Sequence, residues 1–266
     1  MRYGKLISAA CSLSHFFLFG LGFAASASAA TIEKIRKRGF MEICVNPEAM
    51  PLSRGPNVPE GFEIDLANAV AKELGVDVSF TWAQFRHEAR YTSCDAFMSV
   101  GILPGEKGPL KKTIPVLQFE TMAVTKSDTV ITSIEQLDGR RVAVQSGSMA
   151  HATLLDRKAD IRVSYTTDEA VLDAVNRGEV DVGVVGNFGL GWYLKRHPDA
   201  ALLWRIATYL QPTTGYPVAI GLRQSSDETV SAFNQAIEAV TQTGKLSTIK
   251  ARWGFDLVTT APPANP

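Results

Sequence analysis

The chain has 266 residues, enough for one large domain or two smaller ones, and its 45% of apolar residues is ordinary for a protein that buries a core. Its 27 Lys and Arg are matched by 27 Asp and Glu, so no basic excess draws in a phosphate backbone and composition argues against nucleic acid as a partner. The short basic cluster Arg36-Lys37-Arg38 reads as a solvated helix end.

The first thirty residues differ from the rest. Arg2 and Lys5 make a positive start, Phe16 to Ala25 is apolar apart from its glycines, and Ala27-Ser28-Ala29 and Ser28-Ala29-Ala30 are small-x-small cleavage signals. That order is a secretory signal peptide over 1–30, cut near Ala29 or Ala30. The apolar run is too short for a helix to cross roughly 30 Å of hydrocarbon, which argues against a membrane anchor. Removing Arg2 and Lys5 with the leader leaves 25 basic against 27 acidic residues, a formal charge of −2. Cys11 is lost as well, leaving Cys44 and Cys94. In an oxidising compartment the pair forms a disulfide or stays as two buried thiols, and the sequence supports the two readings equally.

Strands and helices then alternate. A helix over 32–38 ends at Gly39, and a strand over 41–45 stops at Asn46-Pro47. Phe62, Leu66, Val70 and Leu74 make one helical stripe closed by Gly75. Val76 to Trp82 alternates as a half-buried strand, 94–100 is a further strand, and Met122-Ala123-Val124 a short one. After Asp138-Gly139 come a strand over 141–145, a turn at Ser146-Gly147-Ser148, a helix over 149–155 and a strand over 161–165. Thr166-x-x-Glu169 reads as a capping box for a helix ending at Gly178, and Val180 to Val185 as a strand buried on both faces. A short helix through Tyr193-Leu194 and strands at 202–206 and 217–222 follow. Ser225-x-x-Glu228 caps a long last helix, and Leu246, Ile249 and Trp253 continue a helical stripe. Repeated strand–helix units imply mostly parallel sheets flanked by helices. Residues 31–124 with 217–256 are expected to form one lobe, 125–216 the second, and 257–266 a disordered tail. The chain would cross between lobes near 119–126 and 215–223.

In open parallel sheets, ligands sit beyond the carboxyl ends of strands. That rule selects Asn46 and Met50 after the first strand, Ser99 and Gly101 after the third, Ser146, Gly147 and Ser148 after 141–145, and Gly186 and Asn187 after 180–185. The Ser-Gly-Ser turn offers backbone N–H groups to an anion, although turn and N-cap duty explains the same residues. Lys107 is a candidate positive charge for the cleft, with a solvated surface position as the alternative.

Gly61-Phe62-Glu63-Ile64-Asp65-Leu66-Ala67 followed by Ala71-Lys72-Glu73-Leu74-Gly75 resembles a segment of periplasmic family-3 solute-binding proteins. Cys94-Asp95-Ala96-Phe97-Met98, Thr113-Ile114-Pro115 and Gly178-Glu179-Val180-Asp181 are similar to further segments of that family, and the likeness covers nearly all of 31–256. It implies a type II α/β fold of two lobes that closes over a ligand for an inner-membrane ABC permease. Cys44-Val45-Asn46-Pro47, Pro51-Leu52-Ser53 and Thr81-Trp82 also resemble a branch associated with quinoprotein alcohol or methanol dehydrogenases, which implies a periplasmic dehydrogenase as the partner instead. Amino-acid binders of the family hold the ligand carboxylate with an Arg, where the nearest residue here is Lys107, and the ammonium with an Asp, where this chain has Gly186-Asn187. Neither charge stands where an α-amino acid needs it, so an organic acid is kept beside an amino-acid-like solute.

Enzyme signals are weak. The chain has no Gly-x-x-x-x-Gly-Lys-Ser/Thr loop and no Gly-x-Ser-x-Gly elbow, and His87, His151 and His197 are widely spaced. Glu106 beside Lys107 leaves a dehydratase as a third reading. The expectation is a monomeric binding protein with no metal, cofactor or catalytic residue.

Overall fold

A computed structural model of the protein describes residues 31–84, 88–126, 129–155, 158–210 and 215–258. Thr31 caps the first helix, α1 (Ile32–Arg38), and Gly39 ends it in the left-handed region at φ 83°. Strand β1 (Phe40–Val45) is followed by the short antiparallel pair β2 (Glu48–Ala49) and β3 (Ser53–Arg54), which the prolines of this loop obscure in the sequence. Helix α2 (Phe62–Leu74) buries Phe62, Leu66, Val70 and Leu74 together, as their four-residue spacing requires. Strands β4 (Asp77–Trp82) and β5 (Ala96–Gly101) flank β1 in parallel. Strand β6 (Leu110–Lys112) precedes the nine-residue β7 (Leu117–Thr125), longer than the three residues expected.

The second half runs β8 (Arg141–Gln145), α3 (Met149–Leu154), β9 (Asp160–Tyr165), α4 (Asp168–Asn176), β10 (Val182–Gly186), α5 (Asn187–Arg196) and β11 (Leu203–Ile206). Strand β12 (Gly215–Arg223) leads back to α6 (Asp227–Gln242) and α7 (Lys245–Arg252). Two helix starts lie one residue past their expected place. Thr167, not Thr166, accepts from Ala170 N–H, and Ser226, not Ser225, accepts from Thr229 N–H. Neither capping box closes: Glu169 pairs with Arg196 at 2.6 Å, while Ser225 Oγ donates to the Arg223 carbonyl.

Hydrogen bonding links the strands in the order β4–β1–β5–β12–β7–β10–β8–β9, with β6 on β12 and β11 on β7. The parallel trios β4–β1–β5 and β9–β8–β10 are the sheet centres of the two lobes. Strands β7 and β12 carry the chain between them and add antiparallel ladders to each. Residues 117–120 of β7 pair with 215–218 of β12, while 121–125 pair with β10 and β11. This pairing makes the two sheets continuous along the crossing strands.

Alternation decides the cores. Met122 and Val124 of β7 and Val185 of β10 pack with Val171, Leu172, Tyr193 and Trp204, whereas Ala123, Val182 and Val184 pack on the opposite face with Leu137, Val142 and Leu154. A separate core joins α2, α6, α7 and β1 around Phe62, Val70, Phe233 and Ile237. Val258 is buried against the Val171–Tyr193 cluster. The expected tail beyond 258 lies outside the described residues. Cys44 and Cys94 form a disulfide with Cα atoms 5.6 Å apart, joining the end of β1 to the approach to β5. Among the described residues, no helix is long and apolar enough to cross a membrane.

Candidate functional site

The acids of the family-like motifs hold the frame. Asp95 accepts from Glu42 N–H at 2.8 Å and pairs with Arg38. Asp181 does the same work in the other half, accepting from Arg141 N–H at 2.8 Å and from its guanidinium at 2.6 Å. Asp65 accepts the Trp253 indole N–H at 2.8 Å. Buried Glu63 stands against Ser99, whose φ of 51° is left-handed; burial pushes the Glu63 carboxyl up, and the Ser99 and Ser53 hydroxyls pull it down.

A cleft of about 170 Å³ opens at the strand tips of the second lobe, beside the crossing strands. Phe119 and Thr121 of β7, Tyr216 of β12, Gln145 of β8, Ser148 and Met149 at the start of α3, Asp168 of α4, and Val184 to Gly186 of β10 line it. Phe119 and Tyr216 stack with ring centroids 4.9 Å apart. Among the described residues lining this cleft, Asp168 is the one that carries a charge. Burial pushes its carboxyl up to about 6, and a hydrogen bond from Gly186 N–H at 3.1 Å pulls the other way.

Gly186 lies close beside that carboxylate. A Cβ there would lie 2.9 Å from the edge of the Phe119 ring and 3.4 Å from Asp168 Oδ2. The bare backbone thus lets the Phe119 ring edge and the Asp168 carboxylate pack close against it.

Of the residues selected from the sequence, Ser148 and Gly186 line the cleft. Gly101 stands behind it, where a Cβ would meet the Tyr216 ring at 2.8 Å. Asn187 braces α5 on β7, accepting from Glu120 N–H at 3.0 Å and donating to the Gln118 carbonyl at 2.9 Å. Asn46 bonds the Gln84 carbonyl and Glu48 N–H. Met50 lines a groove elsewhere, and Lys107 lines a third pocket with Leu103, Glu106 and Leu110.

The turn N–H groups that sequence offers to an anion are bonded within the chain. Ser146 donates to the Tyr165 carbonyl at 2.9 Å, Gly147 to His151 Nδ1 at 3.1 Å and Ser148 to the Gln145 carbonyl at 3.2 Å. Ser148 Oγ accepts from His151 N–H as the α3 cap. Sequence reasoning missed Asp168, Phe119 and Tyr216. An Asp in a first helical turn reads as a dipole partner, and the two rings belong to crossing strands whose sheet neighbours only the fold reveals.

Two parallel-centred α/β sheets joined by β7 and β12 over a strand-tip cleft define the type II periplasmic-binding-protein fold. The model of the bacterial extracellular solute-binding proteins, family 3, matches residues 41–256, and the chain belongs to that family. It is 28% identical over 206 residues to a probable amino-acid ABC transporter-binding protein of Haemophilus influenzae, covering 74% of this chain and 77% of the relative. It is 28% identical over 200 residues to a putative ABC transporter arginine-binding protein 2 of Escherichia coli, covering 73% and 81%. In fold it is similar to an ancestral cationic amino acid solute binding protein, with TM-score 0.71, 24% identity, and 84% and 99% of the two chains covered. The unliganded, open L-cystine solute receptor of Neisseria gonorrhoeae superposes with TM-score 0.67 at 19% identity, covering 84% and 96%.

Proposed function

We propose that the protein captures a small, amino-acid-like solute carrying a positively charged nitrogen between its lobes and delivers it to an ABC permease. Asp168 is the observation that carries the ligand class. It is the charged side chain among the described residues lining the cleft, with its carboxylate held at the Gly186 N–H. A cation held there meets the Asp168 carboxylate, an attraction that a desolvated site strengthens. An organic dianion would instead face a like charge, with the turn N–H groups already engaged.

In this reading residues 1–30 direct export, and the protein works as a periplasmic binding module rather than a catalyst. Residues 31–124 with 217–256 form one lobe and 125–216 the other. The crossing strands act as the hinge, and the permease reads the closed form. The arginine-binding and cationic-amino-acid-binding names of the relatives support this ligand class.

A thermal-shift series with L-arginine, L-lysine, L-glutamine and succinate tests it. A solute at 100 times its dissociation constant stabilises by about 2.7 kcal/mol. The cation-bearing amino acids are expected to raise the melting temperature and succinate to leave it unchanged. A response to succinate alone would overturn the ligand class, and silence toward every small solute would overturn capture itself.

A further inference from the structure

Away from the cleft, where α5 of one lobe faces the 50–60 loop and the end of α7 in the other, lies a groove of about 570 Å³. Two indoles meet across it: Trp192 of α5 and Trp253 after α7, ring centroids 5.2 Å apart. Arg196 stands over the Trp192 ring at 5.7 Å and Arg252 over the Trp253 ring at 5.4 Å. Lys195 and Arg54 complete the basic lining, so four cations share the groove with two lining carboxylates, Glu60 and Glu169. Arg196 pairs with Glu169 and Arg54 with Glu60, and Arg252 reaches Asp65 at 3.1 Å. The Lys195 ammonium bonds the Ala251 carbonyl at 2.7 Å, a dipole rather than a counter-charge.

Cations thus stand on both walls of one groove, four against the carboxylates of Glu60, Glu169 and Asp65, in a sequence whose residues 31–266 sum to −2. Each guanidinium presents five donors and uses only part of them on its carboxylate. Arg196 and Arg252 each stand within cation–π reach of an indole, and a guanidinium suits bidentate binding of an oxyanion. We infer that this groove is a second ligand site, distinct from the solute cleft, that takes a small polyvalent oxyanion gripped by Arg54 and Arg252 on one wall and by Lys195 and Arg196 on the other.

Calorimetric titration of the purified protein with citrate and with inorganic phosphate, against sodium chloride at matched ionic strength, tests this. Saturable binding of either anion is expected, weakened about three- to fivefold by Lys195→Gln and similarly by Arg54→Gln on the opposite wall. All four cations are exposed or at the groove rim, and Lys195→Arg and Arg54→Lys keep the charge should a neutral variant fold poorly; these are expected to bind near the wild-type level. Heats no larger than those of sodium chloride for both anions, or equal affinity in wild type and both neutral variants, would overturn the inference.

Discussion

Asp168 occupies space that Gly189 leaves open: a Cβ built on Gly189 would lie 2.4 Å from Asp168 Oδ2 and 2.6 Å from its Cβ. The acid at the start of α4 is therefore packed against α5, with its carboxylate held at the Gly186 N–H. Two glycines three residues apart serve one side chain. Gly189 lets it approach, and Gly186 gives its carboxylate a backbone N–H at 3.1 Å.

Gly189→Ala tests the approach. Alanine gains about 1 kcal/mol over glycine in a helix interior. A Cβ–Cβ distance of 2.6 Å, however, is set by the two backbones, and no rotation of the Asp168 side chain relieves it. Either α4 or α5 must shift, and overpacking of this kind costs about 1–3 kcal/mol. The expected outcome is a net loss of stability in urea unfolding together with weaker binding of any cationic solute. Unchanged unfolding and binding would show that the two helices part without effort.

The raised pKa of Asp168 makes stability and binding respond to pH in opposite directions. An aspartate in the unfolded chain titrates near 4 and Asp168 in the folded chain at about 6, so the folded form holds its proton more tightly. Below about pH 4 both states are protonated and no penalty exists. As pH rises through the interval between the two values the unfolded chain ionises first and stability falls, and above about 6 the whole penalty, on the order of 2 kcal/mol, is present. Asp168→Asn should remove that falling limb, seen as urea midpoints that diverge from wild type in this window. Cation binding should strengthen in wild type over the same rise, as the carboxylate forms, and stay weak and flat in Asp168→Asn. Parallel curves for the two proteins would sink the assignment.

The disulfide offers a separate measurement. Cys44 and Cys94 are 50 residues apart in sequence, and in the chain-entropy account closing a loop of that size stabilises by about 4 kcal/mol. The bond ties β1 to the approach to β5, within the parallel centre of the first lobe. Cys44→Ser with Cys94→Ser, or reduction by dithiothreitol, is expected to lower the unfolding free energy by about 2–4 kcal/mol in urea titrations. No change on reduction would mean that the thiols are not joined.

Much of the frame was legible because it rests on local rules. The stripe from Phe62 to Leu74 and the alternation from Val76 to Trp82 each carry their own periodicity, and Gly39 and Gly75 end helices in the left-handed region as expected. The capping boxes slipped by one because Thr166-Thr167 and Ser225-Ser226 put two hydroxyls side by side. The one that caps is set by which residue is extended before the first turn, φ −139° at Thr167 and −72° at Ser226. The cleft was half legible: the strand-tip rule reached Ser148 and Gly186. Asp168 and Tyr216 escaped it because their distances from Gly186 and Gly101 are properties of the assembled sheet, not of any short stretch of chain. The sequence offers the N–H groups of the Ser-Gly-Ser turn to an anion, whereas the partner of Gly147 N–H in the fold is the ring of His151, one helical turn ahead.

Gly186→Ala separates the site from the scaffold. The backbone at Gly186 has φ −77° and ψ 149°, extended values that alanine adopts freely, so the substitution introduces no strain of its own. Its methyl would stand 2.9 Å from the Phe119 ring edge, which must tilt slightly between Tyr216 and Phe188 to make room, and 3.4 Å from Asp168 Oδ2, an ordinary contact. The Gly186 N–H keeps its bond to Asp168, so the stability change should stay under about 1 kcal/mol. What the methyl changes is the cleft wall beside the Asp168 carboxylate, which a bound cation would have to reach. Titration with L-arginine should therefore show at least about a tenfold loss of affinity, about 1.4 kcal/mol, with a nearly unchanged urea midpoint. Retained affinity would place the bound cation elsewhere in the cleft, whereas a large fall in the urea midpoint would mean that the 186 position is kept small for the fold and not for a ligand.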